Sequence, residues 1–157
     1  MLRPLAIASI LLVSVLAAGC GGGDATNDDL RQDVLVARNS TDAGLAQIVQ
    51  ASSVEDLLAR MRIAASEVRG AATDVREADA PKELEDERDA LAARLLALSD
   101  EIVGTVETLE AFPQQAAQTS AFNFEQWNSV QAALTKLRAQ GVDVPPLGRH
   151  KPEPQRQ

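Results

Sequence analysis

Cys20 and His150 are the only cysteine and the only histidine of this chain, so nucleophilic, redox and metal chemistry have few residues to use. A disulfide within the chain needs a second cysteine. Zinc sites need clusters of cysteine and histidine, and a di-iron site in a helical bundle needs Glu-x-x-His pairs. Because His150 stands alone near the end of the sequence, we predict a protein that binds no metal and no cofactor.

Catalysis by serine or threonine is also unsupported by the sequence. Such a nucleophile needs an adjacent base, and neither a G-x-S-x-G nor an S-x-x-K motif occurs. The glycines at 21–23 are not followed by the G-K-[ST] of a phosphate loop, and "DATNDD" at 24–29 lacks the spacing of a calcium loop. We therefore expect a protein that is not an enzyme.

The charge balance argues against nucleic acid as a partner. The chain has 15 Lys and Arg against 23 Asp and Glu, a formal net charge of -8. Binding to a polyanion needs a basic stripe, and the sequence contains none.

The surroundings of Cys20 indicate another use of its thiol. Arg3 precedes "LAIASILLVSVLAA", a charge-free run over residues 5–18 that is shorter than the ~20 helical residues needed to span a bilayer. A short apolar run behind a basic start and before small residues is typical of a secretory signal. The final residues, Leu16-Ala17-Ala18-Gly19-Cys20, resemble the lipobox of bacterial lipoproteins.

This resemblance covers residues 1–20 and implies that the Cys20 thiol carries diacylglycerol and becomes the mature N-terminus. Two or more acyl chains hold a protein firmly at a membrane. The implied location is extracytoplasmic, anchored to the bacterial cell membrane, or to the outer membrane of a two-membrane cell because Gly21 replaces a retention-type Asp. A plain secretory signal with an accidental cysteine is the alternative. The mature part resembles small helical-bundle lipoproteins of high-GC bacteria.

From residue 30 onward, apolar residues recur at steps of three and four, which is the helix period. Four such amphipathic stretches predict an all-α, up-down antiparallel four-helix bundle. Residues 38–44, "RNSTDAG", are poor in helix formers, so a three-helix bundle with a separate or broken first helix is the alternative. The predicted core stripes are Leu30, Val34, Ala37, Thr41, Gly44, Leu45, Ile48 and Val49; Val54, Leu57, Met61, Ala64, Val68, Ala71, Val75 and Ala78; Leu84, Leu91, Leu95, Leu98, Ile102, Val106, Leu109 and Phe112; and Trp127, Val130, Leu134 and Leu137.

Capping residues and breakers predict where these helices begin and end. The predicted signals are a capping box of Ser52 with Glu55, Pro81 in a first turn, Pro113 as a stop, a cap at Asn123 with Gln126, and Gly141 as a final stop. Glu87 and Arg88 interrupt the third stripe, so we expect the first turns of that helix to project past the core.

The predicted organisation has four parts. They are a signal peptide at 1–19, the lipidated cysteine with a flexible tether at 20–27, the helical bundle at 28–141, and a proline-rich disordered tail at 142–157. In an up-down bundle, we expect the basic tail residues Arg149, His150, Lys151 and Arg156 to lie at the membrane-proximal end.

Two features remain as candidate contact sites. The chain's aromatic residues, Phe112, Phe122, Phe124 and Trp127, fall close together and predict either a hydrophobic plug at one end of the bundle or an exposed contact for a partner or apolar ligand. The acidic run at 77–89 is either a solvated helix start or a docking patch for a basic partner or for cations.

The leading hypothesis is a non-enzymatic structural or protein-interaction module that is held at the membrane through Cys20 and meets a protein of the cell envelope. The alternative is a carrier of a small apolar ligand within the bundle. That carrier would need a cavity of several hundred Å3 lined by Phe112, Phe122 and Trp127.

Overall fold

The computed structural model describes residues 25–118 and 124–148, which form a four-helix bundle. Its helices are α1 (Asn27–Ile48), α2 (Val54–Glu77), α3 (Glu85–Ala111) and α4 (Glu125–Ala139). Short 3-10 helices at Lys82–Leu84 and Pro113–Gln118 flank α3. The predicted signal peptide, including Cys20, lies outside the described residues.

Successive helices run antiparallel, so the predicted up-down topology is confirmed. The hydrogen bonds that fix these directions join Arg60 to Gln47 for α1–α2, Arg88 to Ala78 for α2–α3, Gln126 to Glu101 for α3–α4, and Asn27 to Gln140 for α1–α4. We call the end that carries Asn27 and Gln140 the near end, and the opposite end, with the α1–α2 and α3–α4 connections, the far end.

The first helix is continuous, so the alternative with a broken first helix is wrong. α1 runs through residues 38–44 without interruption, and Gly44 is buried against α2. A Cβ added at Gly44 would lie 3.3 Å from the Ala64 Cα and 2.6 Å from the Glu67 Oε2. Glycine at this position therefore lets the two helices approach closely, and packing outweighs the weak helix propensity of the stretch.

The predicted stripes form most of the core. Their aliphatic members are buried on all four helices, with Leu30, Val34, Met61, Val68, Leu98, Ile102 and Leu137 among those that are completely covered. Four members are exceptions: Val49 and Trp127 are only partly buried, and 38% of the Val54 surface and 50% of the Phe112 surface are exposed. Val54 lies in the first turn of α2 and Phe112 follows the last residue of α3, so both lie at helix ends.

Two predicted helix starts need correction. The N-cap of α2 is Ser53, whose hydroxyl accepts a hydrogen bond from the Asp56 N–H, and not Ser52. The Asp56 carboxylate in turn accepts from the Ser52 N–H at 2.9 Å. The two serines and Asp56 thus pair reciprocally, as in a capping box, but the pairing lies one residue later than the predicted box of Ser52 and Glu55.

The first turns of α3 do not project past the core. Leu84, just before α3, is buried, and the Glu87 side chain is only 11% exposed. Glu87 contacts the Lys136 ammonium at 2.9 Å, and Arg88 donates to the Ala78 carbonyl at 3.0 Å. These two charged residues are therefore packed against α4 and the α2–α3 turn.

The last described segment corrects the predicted disordered tail. α4 ends at Gly141, as predicted, where φ is +93° and the Val142 N–H bonds to the Leu137 carbonyl in a Schellman motif. Residues 142–148, which we call the strap, then pack onto the bundle, burying Val142, Val144 and Leu147. Part of the predicted tail thus belongs to the core, and 149–157 lie outside the described residues.

Candidate functional site

The structure separates the aromatic residues that the sequence grouped together. Phe124 is 7% exposed, and Trp127 packs against the core cluster while remaining partly accessible. Phe112 is half exposed at the end of α3, and Phe122 lies outside the described residues. Among the described aromatic residues, Phe124 and Trp127 therefore belong to a hydrophobic plug toward the far end, and Phe112 belongs to the surface.

The start of α4 is held by a side chain of α3. Its N-cap, Phe124, has no side-chain oxygen to offer. The Glu101 carboxylate accepts instead, from the Glu125 N–H at 2.8 Å and from the Gln126 N–H at 2.9 Å. A negative group here also interacts favourably with the positive end of the helix dipole. The predicted cap residue, Asn123, lies outside the described residues.

The strap lies in a groove between α1 and α4 and runs antiparallel to α4. On the α4 side, Arg138 donates to the Val144 carbonyl, and Gln131 contacts Leu147 through both of its amide atoms. On the α1 side, Arg38 and Asp42 contact Pro146 and Gly148. The most elaborate set of polar contacts to a loop segment in the described chain is therefore made to this peptide.

A shallow hollow lies next to the strap. It measures about 190 Å3, counting the space that is open to solvent, and it leaves no room for a water molecule. Its lining consists of Val34, Ala37, Arg38, Leu91, Leu95, Val130, Leu134 and Leu147. This lining includes none of the aromatic residues that were predicted to contact a ligand.

Most of the acidic run at 77–89 is exposed, but Glu87 is an exception. The hydrogen bond from Lys136, supported by one from the Gln140 amide at 3.2 Å, holds the pKa of the Glu87 carboxyl below its usual value. Glu87 thus joins α3 to α4 at the near end.

Two further carboxylates have lowered pKa values, and both lie at helix starts. The Thr26 hydroxyl and backbone N–H lower the pKa of Asp29 at the start of α1. The Ser52 N–H and then Arg60 lower the pKa of Asp56 in the first turn of α2. These three carboxylates are therefore held ionised by contacts that stabilise helix ends or helix pairs.

Within residues 25–118 and 124–148, we find no group of three or more His, Cys, Asp or Glu side chains arranged to hold a metal ion. None of the helices in this described part has the length and apolar character required to cross a membrane. The geometry of the described residues thus offers one organised polar site, the groove around the strap.

The sequence interpretation missed the residues of this groove, Arg38, Asp42, Gln131 and Leu147. A local signal existed, because Val142 and Val144 alternate with Asp143 as in a half-buried extended segment. The flanking prolines outweighed that signal and favoured a disordered tail.

Comparison with known proteins adds no relative. The chain matches no protein-family model, no curated protein and no solved structure.

Proposed function

We propose that this chain is a bacterial lipoprotein, anchored outside the cytoplasm through a lipidated Cys20, whose helical bundle is a non-enzymatic module that binds a protein of the cell envelope. The observation that carries the proposal is the sequence Leu16-Ala17-Ala18-Gly19-Cys20 at the end of a charge-free run. The chain offers this thiol no second cysteine and no nearby histidine. Acylation is the use of a lone cysteine that fits its position.

The interaction role is supported by the bundle's surface and not by any catalytic group. The described carboxylates with lowered pKa values serve helix ends and a helix pair. Catalytic acids and bases instead tend to have pKa values that are moved toward the working pH. A stable helical scaffold with an organised groove suits the binding of another protein.

Among the described residues, the hollow beside the strap does not favour the carrier alternative. The hollow beside the strap leaves no room for a water molecule, and its lining lacks Phe112 and Trp127. Phe112 is instead half exposed to solvent. We therefore propose the interaction module alone.

The anchor is tested by metabolic labelling with radioactive palmitate followed by membrane fractionation. We expect the wild-type chain to be labelled and to sediment with membranes, and Cys20→Ser to lose both properties. A matched control, Cys20→Ser combined with Ala25→Cys, keeps one thiol per chain but places it directly after Asp24. It should also remain unlabelled, because the lipobox pattern has small residues immediately before the cysteine. Labelling of either variant would contradict the proposal.

The interaction role is tested separately by crosslinking the anchored protein in intact cells and identifying the crosslinked envelope proteins. We expect a defined adduct when a photoreactive residue replaces Thr135, an exposed position on α4 one turn from the groove residue Gln131. The same replacement at Asp74, an exposed position on α2, serves as the control. Adducts of equal yield at both positions, or at neither, would count against a specific partner at the groove.

A further inference from the structure

The groove between α1 and α4 recognises the backbone of the strap as a peptide-binding site would. Gln131 accepts from the Leu147 N–H at 2.9 Å and donates to the Leu147 carbonyl at 3.0 Å. One side chain thereby satisfies both main-chain groups of a single residue, much as a neighbouring strand does in peptide recognition by strand addition.

Residues of α1 complete this contact from the other side. Arg38 donates through Nε to the Pro146 carbonyl at 3.0 Å, and Asp42 accepts from the Gly148 N–H at 2.6 Å. Arg38 and Asp42 also pair with each other at 3.5 Å. We call Arg38, Asp42 and Gln131 the clamp.

The clamp binds main-chain atoms of the strap. A separate apolar contact selects for a particular side chain. The clamp touches only backbone groups of residues 146–148, so it does not depend on which side chains the peptide carries there. Leu147 is 3% exposed and packs beside Val34, Ala37 and Leu134. In such peptide-binding sites, main-chain hydrogen bonds usually provide affinity, and pockets for side chains provide specificity.

The groove suits proline in particular. Pro145 and Pro146 have no N–H to satisfy, and the groove offers arginine donors to carbonyls, from Arg38 to Pro146 and from Arg138 to Val144. Proline also holds the peptide in an extended form before it binds, which reduces the entropy lost on binding. The ligand chemistry is therefore an extended, proline-containing segment with an apolar anchor.

The strap is attached in a way that permits release. Beyond the Schellman bond of Val142, the main-chain hydrogen bond of the described strap is local, from the Val144 N–H to the Val142 carbonyl. Its other polar contacts to the helices run through side chains. Opening of the strap therefore breaks no hydrogen bond within a helix, but it exposes the buried side chains of Val142, Val144 and Leu147.

We propose that the α1–α4 groove binds an extended, proline-containing segment of a protein partner, and that the strap is its internal occupant, displaced when the partner binds. This inference deepens the proposed function and rests on it only for the partner being an envelope protein. The affinity seen by the partner is then reduced by the fraction of molecules in which the strap is closed.

The test measures peptide binding in solution, so it does not depend on the lipid anchor. The probe is a fluorescein-labelled peptide, GVDVPPLGRH, which copies residues 141–150, and binding to the mature chain carrying Cys20→Ser is followed by fluorescence anisotropy. We expect weak binding to this parent protein. Adding Leu147→Asp, which removes the internal anchor, should strengthen binding at least about tenfold, since the closed fraction falls.

Two controls separate recognition from general loosening. Adding Gln131→Ala to the Leu147→Asp protein should abolish the gained affinity, and a peptide with Asp in place of its leucine should not bind. Because Leu147→Asp could unfold the chain, Gly148→Pro is a second opening variant that removes the N–H bonded to Asp42 and leaves the apolar anchor in place. It should also strengthen binding, provided that circular dichroism shows the native helix content.

Several outcomes would overturn the inference. One is that neither opening variant binds the peptide while at least one of them is folded. Another is that Gln131→Ala leaves the peptide affinity unchanged. A third is that light scattering shows the opening variants to be dimers that exclude the peptide, which would make a second copy's strap the occupant. A wild-type chain that takes up no lipid label, together with intact peptide binding, would refute the anchor alone.

Discussion

At the residue scale, single small residues determine how closely neighbouring helices of the bundle approach. Alanine and glycine at helix contacts let the backbones approach, so the contact is made by main chain as much as by side chains. Gly44 is the clearest case, because any Cβ there would meet both the Ala64 Cα and the Glu67 carboxylate. Gly70 and Gly104, by comparison, have no atom of the described chain within 4 Å of the same position.

Replacing these glycines with alanine should therefore have opposite effects. Gly70→Ala should raise the free energy of unfolding by about 0.5–1 kcal/mol, because alanine is the better helix former and loses less entropy on folding. Gly44→Ala gains the same propensity but forces α1 and α2 apart, and overpacking costs about 1–3 kcal/mol. We expect it to lower the free energy of unfolding, as measured by urea denaturation. Equal stabilisation by both substitutions would show that the α1–α2 contact is not close at Gly44.

The Glu87 carboxylate should make stability depend on pH. Its pKa in the folded chain is held below the usual 4.5 by Lys136 and Gln140. Above that usual value the contact stabilises the folded state in full, because both states are ionised. As the pH falls, the unfolded chain takes up its proton first, and the contribution is lost as the pH passes through the folded-state pKa.

The measurement is urea denaturation of the wild type and of Glu87→Gln at steps from pH 7 to about pH 3, the range in which carboxylates titrate. We expect the loss of stability on acidification to be smaller for Glu87→Gln than for the wild type. Glu83→Gln, which removes an exposed carboxylate from the same acidic run, should follow the wild-type curve. Parallel curves for Glu87→Gln and the wild type would mean that this contact does not form in solution.

At the scale of the elements, α4 is the shortest of the four helices and depends on its neighbours. It has 15 residues, against 27 in α3, and it begins without a cap of its own. Glu101 supplies the cap from α3, and the strap covers the side of α4 that faces α1. An isolated helix of this length is marginal in water, so tertiary contacts decide whether α4 forms.

Glu101→Ala should consequently destabilise the chain by about 0.5–2 kcal/mol, the range typical of a lost N-terminal cap. Hydrogen–deuterium exchange should show the largest increase at the amides of Glu125 and Gln126, which lose their acceptor. Glu107→Ala, an exposed position two turns further along α3, is the matched control and should leave these amides unchanged. Unaltered exchange at the start of α4 in Glu101→Ala would contradict the assignment of the cap.

The sequence predicted the elements better than it predicted their connections. The three-four spacing of apolar residues identified the buried faces of all four helices, because each face is a property of one helix alone. The Glu101 cap could not be predicted in this way, since it depends on two helices that come together only in the fold. The strap was missed for a related reason, because Val142, Val144 and Leu147 form no sustained period and become core residues only against α1 and α4.

At the scale of the whole molecule, the strap carries the last described residues away from the near end. The Gly148 N–H bonds to Asp42, well along α1 from the near end. The basic residues Arg149, His150, Lys151 and Arg156 lie outside the described residues, so their position at the near end stays a prediction. The up-down topology nevertheless keeps the start of α1 and the α2–α3 turn together at the near end.

If Cys20 carries lipid, the bundle should stand with its near end toward the membrane. The 27 residues of α3 correspond to about 40 Å, so the two ends differ in distance from the headgroups by a measurable amount. Asp79→Cys places a fluorophore in the α2–α3 turn, and Gln115→Cys places one in the α3–α4 connection; both positions are exposed. The thioether of a lipidated Cys20 does not compete for the label.

In vesicles that carry a nitroxide quencher on the lipid headgroups, we expect strong quenching at position 79 and weak quenching at position 115. The acidic residues of the near end repel anionic headgroups, a repulsion that salt screens. Quenching at position 79 should therefore increase with ionic strength in anionic vesicles and remain constant in neutral ones. Stronger quenching at position 115 than at position 79 would contradict this orientation. It would mean that the far end, where Phe112 is exposed, lies closer to the lipid than the near end.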